Sequence, residues 1–434
     1  MTAVRGQLAS MLKVGLIGFG GGSALIPLID DELVVRRKVV DATTFTRHTV
    51  VASITPGALP VKLAGLVGLH TSGAWLALAM ALVVALPGTL ATVGLVASVA
   101  AGGQAVIGYV ELASVGITVF IIALLVHYIS KVIGSSGPDR RAAIGIAVLA
   151  FVATGASALA ELTGHLLGQD WVVTLPTLSA VQLVLGALVL ISARALLRRE
   201  DVVTLPPPQS GPLIDPRVAR TVLLLLAVGA GAVTVAAVVA GPGVLGLLGL
   251  VAVSTLTSFG GGEAYVGVAD GFFVGGGYVD SSVFYSQLVP IANALPGPIL
   301  VKLASGVGYT AVAPEAGAAA GWVVAAASGL IAVTACTAVA VLVMGAYHRA
   351  GHSPVLRDIG RYILPVICGL LATTSVAMLN AVADVSDGTG VAPAVVLWPC
   401  LLAVVVVTGL RGRVHDVLLL LACGALSLGA LLLV

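Results

Sequence analysis

Lysine is the last residue expected in the middle of a long apolar run, yet it occurs there twice, as Lys62 and Lys302, in matching surroundings. The first closes the stretch Pro56-Gly57-Ala58-Leu59-Pro60-Val61-Lys62, and the second closes Pro296-Gly297-Pro298-Ile299-Leu300-Val301-Lys302, 240 residues further on. An ammonium group at the centre of a bilayer costs a few kcal/mol on insertion scales. Proline and glycine interrupt a helix at each place. A helix that resumes after such a break offers free N–H groups and the positive end of its dipole to whatever lies in front of it. A lysine in its first turn adds full charge, a combination that suits a doubly charged oxyanion better than a monovalent halide. The competing reading is structural: each lysine snorkels to the interface or pairs with a carboxylate.

Upstream of each lysine lies a second break, Gly18-Phe19-Gly20-Gly21-Gly22-Ser23 and its copy Ser258-Phe259-Gly260-Gly261-Gly262-Glu263, again 240 residues apart. Three consecutive glycines give the backbone no reason to stay helical and let it approach a ligand closely. Glu263 stands where the first copy has Ser23. It is a candidate proton carrier, its affinity for protons set by a nearby lysine and by substrate, or else a fixed ion-pair partner of Lys302. Ser23, Ser53, Thr55 and Asn293 are neutral donors near the breaks, suited to substrate or to capping the resumed helix; Ser53 and Asn293 occupy equivalent places.

Other polar residues read as structural. Glu161 and His165, four apart on one helix face, suggest a hydrogen-bonded pair rather than half a metal site. Glu111 and His127 lie near opposite ends of one apolar run and suit interfaces. Asp30, Asp31 and Glu32, followed by Arg36, Arg37 and Lys38, suggest a solvated, self-paired mouth. Asp41 and Asp280 each precede an apolar run as a helix N-cap would. The four cysteines, Cys336, Cys368, Cys400 and Cys423, lack disulfide or metal-ligand spacing and read as packing or lipid-facing residues. No G-x-x-x-x-G-K-[ST] sequence for nucleotide hydrolysis occurs, and no cofactor or metal is expected.

The elements that hold these residues follow from composition. Of 434 residues 59% are hydrophobic and 9% charged, against about 25% charged in a soluble domain, so the chain is an all-α polytopic membrane protein. A formal net charge of +2, dispersed in short segments, gives no reason to expect a nucleic-acid partner. Nothing at the N-terminus reads as a cleaved signal. Broken apolar runs at about 8–35 and 45–71 precede candidate crossings at about 75–101, 105–133, 142–168 and 177–197. The second half repeats the order, with broken runs at about 248–274 and 284–310 and crossings at about 319–346, 361–382, 393–410 and 414–434. This divides the chain into a first repeat (1–197), a proline-rich cytoplasmic linker (198–217), a linker transmembrane helix (218–240) and a second repeat (241–434). A dozen helical residues rise about 18 Å, too little to cross a hydrocarbon core of about 30 Å. If each broken run is a re-entrant hairpin, lysines and arginines all fall on one side of the membrane, which makes the N-terminus cytoplasmic. The odd helix at 218–240 then inverts the second repeat, as in many secondary transporters. All four hairpin tips meet near the midplane, where unwound backbone survives only in protein or beside a wet cavity. The predicted site there comprises Lys62, Lys302, Gly20, Gly21, Gly22, Ser23, Gly260, Gly261, Gly262, Glu263, Pro56, Gly57, Pro296, Gly297 and Asn293.

These motifs resemble those of the chromate ion transporter family in its two-repeat, long-chain form. Its members carry Phe-Gly-Gly-Gly or Phe-Gly-Gly-Pro near the start of each half and Pro-Gly-Pro some 35 residues later. Here Phe19 to Gly22 with Pro56-Gly57, and Phe259 to Gly262 with Pro296-Gly297-Pro298, carry the likeness, together with Ile26-Pro27 to Glu32-Leu33-Val34. The first copy lacks the final proline, and lysine stands at 62 and 302 where the family pattern leads one to expect a neutral residue. The resemblance implies a plasma-membrane exporter of chromate, with sulfate as a competing anion and protons as coupling ions, and no enzymatic activity. Glycine- and alanine-rich helices also permit a homodimer. The rival readings are a carrier for another anion, a passive anion channel, and an intramembrane enzyme built on Glu161, His165 or His127.

Overall fold

A computed structural model describes residues 2–18, 25–169, 178, 180–197, 215–259, 262–350, 354–388, 391–410, 413–414 and 416–432. Every element among the described residues is helical. The first half runs α1 (Thr2–Ile17), α2 (Leu25–Asp30) continued by a π-helical turn at Asp31–Arg36, α3 (Ala42–Ile54), α4 (Leu59–Ser72), α5 (Ala74–Ala101), α6 (Gly103–Ser135), α7 (Arg140–Leu167) and α8 (Ala180–Leu197). Helix α9 (Pro216–Ala240) links it to the second half. There the order recurs: α10 (Val244–Thr257), α11 (Gly262–Ala269) continued by a π-helical turn at Asp270–Val274, then α12 (Ser281–Val283) and α13 (Val289–Ala294) flanking a third π turn at Phe284–Leu288. Helices α14 (Ile299–Ala316), α15 (Ala318–Ala350), α16 (Pro354–Gly388), α17 (Pro393–Leu410) and α18 (Asp416–Leu431) complete it.

The two halves match down to their irregularities. In both, the segment after the glycine break loosens into a π turn, closed by Val39 N–H on Leu33 O at 2.7 Å and by Val279 N–H on Phe273 O at 3.2 Å. Fourteen positions separate Asp41 from Thr55 but fifteen separate Asp280 from Leu295. The third π turn lies in that longer segment, because a π bulge takes up one inserted residue without ending the helix. Helices α4 and α14 both stop at a left-handed glycine, Gly73 (φ 87°) and Gly317 (φ 86°).

Two later segments of the first half return to α1. Arg37 Nε donates to Ser10 Oγ at 2.5 Å, Lys13 Nζ pairs with Glu32 at 2.5 Å, and Thr71 Oγ1 bonds Gln7 Oε1 at 3.1 Å. The ends of both first-half runs therefore lie beside the early turns of α1. In the second half a side chain at Gly246 would meet the Tyr278 hydroxyl, the equivalent return. The mouth expected to be self-paired and solvated is only partly so. Arg36 and Asp31 form an exposed pair at 2.6 Å, but Glu32 is buried against Ser10 and Lys13 of α1.

Helices are traded between halves. Helices α7 and α8 pack on α16, while α17 and α18 pack on α6; α5 touches α14, and α15 touches α4. Thr154 and Thr373 share a hydrogen bond at 2.8 Å across the first of these interfaces. Val218, at the start of α9, lies against Gly345 near the end of α15. Arg217 and Arg220 line one cavity with Gly73 and Ala74 at the start of α5. The first residues of α5 thus share an end of the molecule with the last turns of its counterpart α15.

Among the described residues seven helices are long and apolar enough to cross a membrane: α5, α6, α7, α9, α15, α16 and α17. The crossings expected at 177–197 and 414–434 are represented by shorter apolar segments, Gln182–Arg194 and Leu418–Leu431. The structure is that of a multi-pass membrane protein. Cys336, Cys368 and Cys400 are buried and serve packing.

Asp41 caps α3 as its sequence suggests, accepting from the Thr44 backbone N–H at 2.9 Å and from the Thr44 hydroxyl at 2.7 Å. Asp280 holds the same position before α12 without a side-chain capping bond. The Thr44 hydroxyl and N–H hold the Asp41 carboxyl below the usual carboxylate range. A folded value below the unfolded one of about 3.9 means that this contribution is complete above about pH 4 and is lost as pH falls through the folded value. Asp41→Ala should lower Tm at pH 7 by on the order of a degree, and the difference should shrink below about pH 4. Thermal unfolding at the two pH values reads both effects.

Candidate anion site at the crossed helix breaks

The proline breaks do not stand alone; each is tied to the glycine break of the other half. The N–H of Gly57 donates to the carbonyl of Ser258 at 2.6 Å, and the N–H of Gly297 donates to the carbonyl of Gly18 at 2.8 Å. Gly57 and Gly297, and Gly18 and Ser258, are equivalent pairs, so one contact is made twice. Both proline-break glycines hold φ at 97°, a left-handed conformation that L side chains rarely adopt. The turn aims each N–H at a carbonyl left free where α1 or α10 ends, and so satisfies an orphan that helix termini leave.

Both lysines are fully buried, with exposures of 1% and 0%. Neither snorkels. Lys62 Nζ donates to the carbonyl of Thr55, and Lys302 Nζ donates to the carbonyl of Leu295 at 2.5 Å. Thr55 and Leu295 are the residues at which α3 and α13 end in extended backbone. Each lysine therefore reaches across its own break, joining the helix after it to the negative end of the helix before it. Of the three N–H donors on an ammonium, this bond uses one.

Each break is walled by a helix of the opposite half. A side chain at Gly57 would meet Cys336 Cβ of α15 at 2.2 Å, and one at Gly65 would meet Thr337 at 2.6 Å. On the other side, a side chain at Gly88 of α5 would meet the Pro296 carbonyl at 2.0 Å and the stem of Lys302 at 3.2 Å. Gly88→Ala should therefore push α5 off the second proline break. Overpacking of this kind typically costs about 1–3 kcal/mol, which the denaturant midpoint of purified protein would register.

Of the residues expected at the site, Pro56, Gly57, Lys62, Pro296, Gly297 and Lys302 lie in these crossed breaks. Asn293 is one turn before the second break, but its amide donates back to the Val289 carbonyl at 2.8 Å, as the equivalent Ser53 does to Thr49 at 2.8 Å. Thr55 likewise bonds Val51 at 2.9 Å. These side chains serve the helix before the break rather than capping the one after it. Gly20, Gly21, Gly22, Ser23, Gly260 and Gly261 lie outside the described residues. Gly262 and Glu263 open α11, and the Glu263 side chain lies outside the described set.

Several polar groups nearby escaped the sequence reading. Thr255 and Ser258, at the end of α10, are buried hydroxyls with no hydrogen-bond partner among the described residues. Asp270, which opens the π turn at Asp270–Val274, is close enough to the buried Tyr285 to interact with it electrostatically, though the Tyr285 hydroxyl has no hydrogen-bond partner among the described residues. Tyr265 and Ser254 share a hydroxyl contact at 3.1 Å. Asp270 was findable as the equivalent of Asp30; the hydroxyls carry no sequence signal that separates them from ordinary helix threonines and serines. Glu161 is served by Asn380 of α16 at 3.1 Å, not by His165, because α7 packs on α16; His165 Nδ1 has no partner among the described residues.

Together, the long apolar helices and the doubled, mutually tied breaks define a polytopic membrane protein built of two like halves. A family model described as "Chromate transporter" matches residues 7–253 and again 245–428, and the chain belongs to that family. It is 38% identical over 95 residues to a protein called "Uncharacterized transporter YwrB" of Bacillus subtilis (strain 168); the stretch makes up 22% of this chain and 48% of that one. The match thus spans about half the length of that relative. No solved structure matches the chain.

Proposed function

We propose that the protein is a secondary transporter of a divalent tetrahedral oxyanion of the chromate type, carrying it out of the cell by alternating access around a midplane site. The observation that carries this reading is the crossed pair of hydrogen bonds, Gly57 to Ser258 and Gly297 to Gly18. They bring two broken helices from different halves to one place, each with a buried lysine in its first turn. Unwound backbone and unpaired buried charge at that depth are tolerated where they line a ligand site. The repeats, 1–197 and 241–434, are inverted about the linker helix at 218–240, with the polar linker 198–217 in the cytoplasm; the juxtaposed start of α5 and end of α15 support this. The return of residues 37 and 71 to the early turns of α1 supports re-entrant hairpins rather than crossings. With the N-terminus cytoplasmic in the plasma membrane, Lys62 and Lys302 supply charge, the glycines at 20–22 and 260–262 supply close backbone approach, and Glu263 carries a coupling proton. Sulfate is the competing substrate, and a homodimer is compatible with helices rich in glycine and alanine.

Purified protein in vesicles tests the mechanism. A carrier gives chromate flux that saturates and is accelerated by chromate on the far side. Flux that rises linearly with concentration and ignores the far side would instead make the protein an anion channel.

A further inference from the structure

A cavity of about 360 Å³ lies where α4 ends, α5 begins and α9 begins. Its charged side chains are those of Arg217 and Arg220, joined by His70. Among the described residues no carboxylate lines it, whereas the cavity beside α16 has Arg361 paired with Asp139, and the one beside the third π turn is lined by Glu111 and Asp384. Asp215, two residues before Arg217, gives a carboxylate oxygen to the Arg217 backbone N–H at 2.8 Å. His70 is held in place from behind, its ring edge-to-face with the buried His48 at 5.5 Å between centroids. The hydroxyl-bearing Thr71 and Ser72 add short polar groups to the same wall.

Position says what this charge meets. The cavity is at the first residues of two membrane-length helices, α5 and α9, and so at headgroup level. Trp75 on its rim is 68% exposed, and Leu223, one turn beyond Arg220, is 67% exposed. An exposed tryptophan at the end of a span belongs to the interfacial belt, and basic pockets between spans on the cytoplasmic side hold lipid phosphates. A guanidinium pair matches the oxygens of a phosphate in a way that two ammonium groups do not.

We infer that this pocket binds a phosphate-bearing anion, supplied by the headgroup of an anionic phospholipid, with Arg217 and Arg220 as the phosphate ligands and Trp75 at the glycerol level. The site is separate from the oxyanion site but mechanically joined to it. Helix α4 runs from its proline break at one end to Leu69–Ser72 at the pocket, about 20 Å for fourteen residues. A lipid that fixes the far end of α4 also fixes the break that carries Lys62.

The test uses full-length protein in neutral detergent, parent beside Arg217→Gln/Arg220→Gln and Arg217→Lys/Arg220→Lys. Thermal unfolding is followed with added phosphatidylglycerol, phosphatidylcholine or inorganic phosphate. Phosphatidylglycerol should raise Tm of the parent by several degrees, phosphatidylcholine should not, and the shift should vanish in the double glutamine variant and return in part with lysine. An equal shift from inorganic phosphate alone would overturn the lipid as source. A phosphatidylglycerol shift that survives the glutamine substitutions, or no shift in the parent, would overturn the site. The arginines are exposed, so the variants are expected to fold, and their Tm without lipid checks it.

Discussion

Gly57→Ala is expected to yield little folded protein, whereas the equivalent Gly297→Ala yields a weakened but folded one. Both residues hold φ at 97°, so both substitutions force an L residue into a sparsely populated region at a cost of about 1–3 kcal/mol. The surroundings then separate them. At Gly57 the new methyl would lie 2.2 Å from Cys336 Cβ, with the Gly57 backbone tethered by its N–H bond to Ser258; at Gly297 the nearest atom is 3.5 Å away. Overpacking adds about 1–3 kcal/mol at Gly57 alone, and a total loss of several kcal/mol is much of the stability of an ordinary domain. Cys336→Gly, introduced together with Gly57→Ala, should relieve the clash but not the strain. Monodisperse yield and Tm of the three variants measure it. Equal behaviour of Gly57→Ala and Gly297→Ala would show that the clash with Cys336 is not what distinguishes the two breaks.

Lys302→Met should leave a folded protein with roughly ten- to a hundredfold weaker affinity for chromate or sulfate, the loss expected of one charge-assisted hydrogen bond to the anion. Methionine keeps an unbranched apolar stem with sulfur in place of Cδ, so packing against Gly88 persists. The variant also leaves the Leu295 carbonyl without its donor, at a cost of about 1–3 kcal/mol in stability. The two effects are separable: anion binding by calorimetry reads one and the unfolding midpoint the other. Stability lost with affinity intact would assign the lysine to joining the helices on either side of the break and nothing else. Lys62→Met should behave alike, since Lys62 spans its own break to Thr55 in the same way.

The breaks were legible because proline and glycine act through local backbone physics, and the 240-residue spacing repeated them. The long helices were legible because a bilayer demands about 20 apolar residues whatever surrounds them. What the breaks touch was not. Nothing in Pro56-Gly57 names Ser258 as the acceptor of its N–H, and nothing in Lys62 says that its ammonium bonds a carbonyl seven residues back rather than a carboxylate or water. These contacts depend on how two distant segments cross, and such tertiary information leaves no periodicity. Asn293 and Ser53 misled for a related reason, since a polar side chain near a helix end can serve either neighbour. The pairing of Glu161 with Asn380 required knowing that the halves exchange helices.

That exchange sets an order on biogenesis. Helices α7 and α8 leave the ribosome and enter the membrane long before α16, the element they pack against, has been made. Thr154 must wait for Thr373, 219 residues later, which at cellular synthesis rates is roughly 10 to 40 seconds. For that interval the leading half stands in the bilayer with its packing faces turned to lipid. Each half of the nascent protein is thus the other's assembly factor, and a chain released early leaves an insertion product that has no partner to close on.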